Sequence, residues 1–170
     1  MGEDSAGNGS CDRDRRGAAV RILQLITTLA TGGAEMHLLS LARQLQRDGF
    51  EVTVACLRSD IPGSRSLRGD FEAAGIRVID LAAGRRLDVR ALWRLVRLLR
   101  AWHPDVLHSH LVRADLLAAV AVLFVPGLPV IASVHGLYRD RWFGPWSRPL
   151  LQWIYRRATH LIPVSFAVES

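Results

Sequence analysis

Residues 20–26, VRILQLI, run into 27–33, TTLATGG, and then into 34–47, AEMHLLSLARQLQR. The first piece is short, apolar and rich in branched side chains, as a strand buried on both faces is. The last places Met36, Leu38, Leu39, Leu41, Ala42 and Leu45 at helical period, and Asp48-Gly49 closes it. Between them the adjacent glycines Gly32 and Gly33 open a turn. Strand, glycine turn and helix in that order predict a βα unit.

The same alternation continues outward. Strands are expected over 50–57, 76–81, 106–109, 129–134 and 160–164. Helices are expected over 64–74, 88–102, 113–124 and 146–157, with Asp88 capping the second of these. Alternation with short connections implies right-handed crossovers and a parallel sheet covered on both faces. The expected fold is therefore α/β: a Rossmann-like three-layer αβα sandwich with a mainly parallel sheet. Residues 1–18 are polar and mixed in charge, and are read as a disordered tail. Residues 19–165 form the domain, and Ser165 is placed to cap a helix begun by 166–170.

The chain has 170 residues, the size of one ordinary domain. A hydrophobic share of 49% and a charged share of 22% are globular values. The net charge is +6, and all 22 basic residues are Arg. Without Lys there is no Walker phosphate loop, Schiff base or Ser–Lys pair. Two cysteines, Cys11 and Cys56, make neither a disulfide scaffold nor a zinc site. The uncharged run 116–134 has the length of a membrane span, but Pro126, Gly127 and Pro129 break it. Helix, tight turn and buried strand describe it better.

In such folds ligands sit beyond the carboxyl ends of the strands. Three strand ends there carry chemistry. The Thr31-Gly32-Gly33-Ala34-Glu35 turn offers close backbone approach and unpaired N–H groups to an anion, or else is a turn whose Glu35 complements the helix dipole. His108-Ser109-His110 and Ser133-Val134-His135-Gly136 end the fourth and fifth strands. His108 lies inside its strand and reads as a hydrogen-bonded structural residue. His110 and His135, at the ends, read as ligand-facing. No carboxylate or Cys joins these histidines at ligand spacing, so no metal is expected. A basic helix face carries Arg86, Arg90, Arg94, Arg97 and Arg100, and reads as solvated or as a surface for anionic lipid. The aromatic segment 142–146 lines an acceptor cleft or an interface. The basic residues are spread over separate elements, and no nucleic-acid module is recognisable.

GGAEMHLLSLARQLQRDGFEVTVACL, FEAAGIRVIDL, HPDVLHSHL, PVIASVHG and ATHLIPVS, in that order, resemble family 4 glycosyltransferases over about residues 20 to 170. These are retaining enzymes of the two-Rossmann GT-B architecture, and the resemblance is to their N-terminal, acceptor-side domain. It implies a nucleotide-sugar donor as substrate, no metal cofactor, and same-face displacement assisted by the leaving phosphate. It implies that Gly32 and Gly33 approach the donor diphosphate. It implies that His135 is the catalytic histidine beside the reacting sugar, with His110 and Arg113 on the acceptor side. Many members act on lipid-linked acceptors at the cytosolic membrane face, so a cytoplasmic, peripherally membrane-bound protein is expected.

The family's C-terminal domain carries a Glu-x7-Glu motif, and this chain has no two Glu eight positions apart. The chain alone is therefore expected to be inactive, a truncated product or one piece of a split enzyme that needs a separate C-terminal donor-binding half. The alternative is a non-catalytic binding or membrane-docking module with a Rossmann-like fold. An unrelated dinucleotide binder is disfavoured because G-x-G-x-x-G is missing.

Overall fold

A computed structural model describes residues 19–59, 61–84, 88–134 and 147–164. The tail 1–18, the 166–170 helix start, Arg86, His135 and the aromatic segment 142–146 lie outside the described residues. The strands are β1 (Arg21–Thr28), β2 (Glu51–Arg58), β3 (Arg77–Asp80), β4 (Val106–His110), β5 (Val130–Val134) and β6 (His160–Pro163). The helices are α1 (Gly33–Arg47), α2 (Arg68–Ala73), α3 (Val89–Trp102), α4 (Val112–Ala121) and α5 (Ser147–Tyr155). A 3-10 turn, Val122–Phe124, follows α4.

All six strands pair in parallel, in the order β3-β2-β1-β4-β5-β6. The Rossmann-like α/β expectation is met. Strand order reverses between β1 and β4, so the carboxyl ends of these two strands flank the crevice in which ligands of this architecture bind.

Alternation along β1 sends its side chains into two cores. Ile26 joins Leu38, Leu39, Val54, Phe71 and Ile76 on the side of α1 and α2. Leu23 and Leu25 join Leu57, Leu95, Leu99, Leu107, Ala114 and Ala118 on the side of α3 and α4. Both faces of the central strands are sealed, which is why they read as near-continuous apolar runs. α5 packs beside α4.

The expected elements are all present, with shifted ends. α2 is shorter than the expected 64–74, because Ser66 forms an isolated bridge to Ala30 and the helix starts only at Arg68. Asp88 caps α3 as read, accepting from the amides of Arg90 at 2.9 Å and Ala91 at 3.4 Å. The 116–134 run resolves into α4, the 3-10 turn and β5, with Gly127 at a φ of +85° where the chain reverses. Among the described residues no helix is long and apolar enough to cross a membrane. β4 extends one residue further than expected, to His110, and that single residue changes the reading of the site.

Candidate functional site at the β1 and β4 ends

The loop after β1 is held firmly. The Thr31 amide and hydroxyl both donate to the Arg65 carbonyl, at 2.9 and 3.0 Å, and the Leu67 amide donates to the Leu29 carbonyl at 2.7 Å. Gly32 is the residue before α1, in extended backbone, and its carbonyl accepts from the Met36 amide. Glu35 folds back over this end. Its Oε1 accepts from the Thr28 hydroxyl at 3.0 Å, and a Cβ on Gly32 would lie only 2.6 Å from its Oε2. A side chain at Gly32 would have to displace the buried Glu35 carboxylate. That carboxylate sits at the positive end of the α1 dipole, where negative charge is favoured.

β4 divides its side chains between two hydrogen-bonded groups. His108 and His110, two residues apart, share the α1 side of the sheet. His108 Nε2 and Ser133 Oγ are hydrogen-bonded at 2.8 Å, and His110 Nε2 and Gln24 Oε1 at 2.8 Å. The two imidazoles meet with centroids 4.2 Å apart, their planes tilted by 39°. Gln24 is fully buried, and its Nε2 has no hydrogen-bond partner among the described residues.

Ser109 points to the other side and donates to Asp115 Oδ1 at 2.7 Å. Tyr155, at the end of α5, donates to Oδ2 at 3.5 Å. Burial pushes the Asp115 carboxyl up to about 7, against the lowering effect of the Ser109 and Tyr155 hydrogen bonds. Asp115 therefore titrates near neutrality inside the α4 layer. At the β3 end burial raises Asp80, but the Ser59 hydroxyl and the Ala82 and Ser59 amides outweigh it and hold its carboxyl below the usual range.

The structure corrects the reading of His110. As the last residue of β4 rather than part of a loop, it is fully buried and bonded to Gln24, so it does not face a cleft. Nor does it stand with Arg113. Arg113 lines a groove of about 150 Å³ between α3 and α4, with Leu92, Leu116, Val120 and Asp88, on the opposite side of the sheet. The junction between them is strained. Leu111 takes φ +73° and ψ 142°, a conformation that side chains other than glycine rarely adopt. This bend turns the chain from β4 into α4.

His135 lies outside the described residues; β5 leads directly to it through Ser133 and Val134. Among the described residues no three His, Cys, Asp or Glu gather to hold a metal ion. Asp115 and Gln24 were not singled out from sequence. The available signal for Asp115 was weak: it is the lone acid between 106 and 139.

A six-stranded parallel sheet in this order, with a glycine turn at the β1 end, defines a Rossmann-like α/β domain. The chain belongs to glycosyltransferase family 4, whose family model matches residues 31–170. No curated protein matches the chain by sequence. Among solved structures, MurG of Acinetobacter baumannii is similar at 17% identity and TM-score 0.58, covering 89% of this chain and 43% of its own. HepE of Anabaena, in complex with UDP and glucose, is similar at 18% identity and TM-score 0.61, covering 84% and 37%. A UDP-N-acetylglucosamine 2-epimerase of Listeria monocytogenes, described as putative, is similar at 19% identity and TM-score 0.59, covering 85% and 39%. These identities establish the fold alone, and transferases and epimerases share it. The chain spans 43%, 31% and 37% of the lengths of the first three solved relatives.

Proposed function

We propose that this chain is the acceptor-side domain of a glycosyltransferase that moves a sugar from a nucleotide-sugar donor to a sugar or lipid-linked acceptor. The observation that carries the reading is the family 4 match on a chain whose glycine turn sits at the β1 end, beside the sheet's reversal point. In this reading Gly32 and Gly33 approach the donor diphosphate, and His135 steadies the reacting sugar by hydrogen-bonding its hydroxyls or developing charge. Arg113 meets the acceptor from the α3–α4 groove. No metal takes part. HepE, one of the similar structures, holds UDP and glucose, which supports a nucleotide-sugar ligand for this fold.

The chain spans less than half of these solved relatives, so transfer is proposed to need a donor-binding half as well. The test is a radiolabelled transfer assay across nucleotide sugars. The 170 residues alone are expected to give no turnover. A protein joining them to a family 4 donor-binding half is expected to turn over, unaffected by a chelator. In that joined protein His135→Ala lowers kcat by about 100-fold or more. Turnover by the isolated chain, or none by the joined protein with any nucleotide sugar, would refute the reading.

A second reading, a non-catalytic module, draws on Glu35. Its carboxylate lies over Gly32, where a diphosphate would meet like charge. In that case nucleotide diphosphates fail to bind the joined protein, and Glu35→Gln, which removes the like charge, restores binding.

A further inference from the structure

Asp115 ties three elements together. It lies in the first turn of α4 and is 2% exposed. Its Oδ1 accepts from the Ser109 hydroxyl of β4 at 2.7 Å, and its Oδ2 accepts from the Tyr155 hydroxyl of α5 at 3.5 Å. An ionised carboxylate has about four acceptor sites, and two hydroxyls leave the others to water. In a buried position the neutral form is therefore the one that fits. Burial accordingly makes this carboxyl hold its proton more tightly than usual.

What reaches the carboxyl is two neutral hydroxyls. The other charged residue of α4 is Arg113, which lines the α3–α4 groove. On α3, Asp88 caps the helix, Arg94 donates to the Leu81 carbonyl and Arg100 to the Phe124 carbonyl, while Arg90 and Arg97 are exposed. On α5, Arg148 lies two turns before Tyr155; after the helix, Arg156 is exposed and Arg157 lies over the Trp153 ring at 3.8 Å. β4 turns His108 and His110 to the opposite face of the sheet, and β5 carries no charged residue.

Of the three elements that meet at Asp115, α5 is the most lightly held. β4 is laddered on both sides, to β1 and β5, so Ser109 stays in place. α4 buries Ala114, Ala118, Ala119 and Ala121 besides Asp115. Among the described side chains of α5 only Ile154 is buried, and the helix packs chiefly on α4. Segments with few buried apolar contacts are those that open locally.

We propose that Asp115 is a pH-operated latch on α5: with a neutral carboxyl α5 stays packed on α4, and with an ionised one α5 lifts so that water fills the open acceptor sites. The proton released passes to solvent. α5 lies in the crossover from β5 to β6, so pH acts through it on the connection that leaves the carboxyl end of β5. The closed carboxyl keeps its proton to a higher pH than the open, hydrated one. Opening is thus disfavoured in acid, grows as pH rises, and levels off once the closed form ionises as well. The inference stands on this cluster and not on the transfer reaction.

The test is hydrogen–deuterium exchange of the full chain from about pH 5 to pH 8, with rates corrected for the intrinsic pH dependence of amide exchange. The amides of α5 are expected to be less protected than those around Leu95 and Leu99 in α3. Their opening is expected to rise by about tenfold per pH unit and to level off above about pH 7. Asp115→Asn, which does not ionise, is expected to flatten that rise. Tyr155→Phe keeps the ring and removes a hydroxyl that favours the ionised form, so the levelling is expected to move to higher pH. Circular dichroism checks that both variants fold, and the parent and Tyr155→Phe profiles decide the matter if Asp115→Asn does not. A pH-independent α5, a rise that persists in Asp115→Asn, or an unmoved levelling in Tyr155→Phe overturns the proposal. So does exchange of α5 and α3 at one rate with one pH profile, which would place the titration in global unfolding. No readout involves sugar transfer, so failure of the transferase reading leaves this result unchanged.

Discussion

The α1–α2 side and the α3–α4 side bury the same sheet in different ways. The first uses large apolar groups, with fully buried Phe71, Leu38 and Ile76 over Ile26 and Val54, and pairs several of its surface charges locally. The second combines large groups of α3, Leu95 and Leu99, with small ones, Ala91, Ala114, Ala118 and Ala121, over Leu23, Leu25 and Leu107. It also keeps a carboxyl inside, Asp115, and its helix α3 carries four arginines and no acid. The first side pairs several of its own surface charges. The second buries a carboxyl raised to about 7 in the same layer as a helix whose own charged residues are all basic.

Three measurements sharpen or break this contrast. The largest effect is expected for Phe71→Ala, which opens a cavity in the large-residue core and costs about 3–5 kcal/mol in urea unfolding. A loss under about 1 kcal/mol would mean that the α1–α2 side is loosely packed.

Next comes the pH dependence of Asp115. Its folded pKa of about 7 lies above its ordinary 3.8, so protonation favours the folded state. The stabilisation is full below about pH 4 and is lost as pH rises through about 7, a change on the order of 4 kcal/mol. Asp115→Asn keeps an acceptor for Ser109 and removes the titration. The difference in stability between variant and parent should therefore grow in the variant's favour from pH 4 to pH 7. The lowered Asp80 and Asp88 contribute with the opposite sign, being lost as pH falls, and they cancel in that difference. A flat difference would show that Asp115 ionises freely.

The smallest effect is expected for Arg68→Ala. Its pair with Glu72 is half-exposed on both partners, and its loss should change stability by less than about 0.5 kcal/mol. A larger change would mean that the paired surface of the α1–α2 side is structural rather than merely neutralising.

Much of this was legible in the chain. The order of strands and helices follows from local period, and Asp88 announced its cap by type and position. The breaks at Pro126, Gly127 and Pro129 marked the turn before β5. The site was less legible. His110 reads as loop because Leu111, Val112 and Arg113 follow it with no strand pattern, yet β1 and β5 on either side extend the ladder through it. Asp115 looks like any acid in the first turn of a helix. Only the arrival of Ser109 from β4 and Tyr155 from α5, 40 residues away, makes it a buried carboxyl.

By itself, then, the sequence determined the alternation of elements, the glycine turn before α1 and the family. These depend on residue type at fixed local spacing, which the chain carries directly. The tertiary structure decided which strand ends are neighbours, that Glu35 fills the space over Gly32, and that His110 and Arg113 part to opposite sides of the sheet. It also decided that Trp93 and Phe124 meet among the arginines of α3. Those outcomes depend on strand order and on which face each side chain takes once both faces are buried, and no local pattern encodes that.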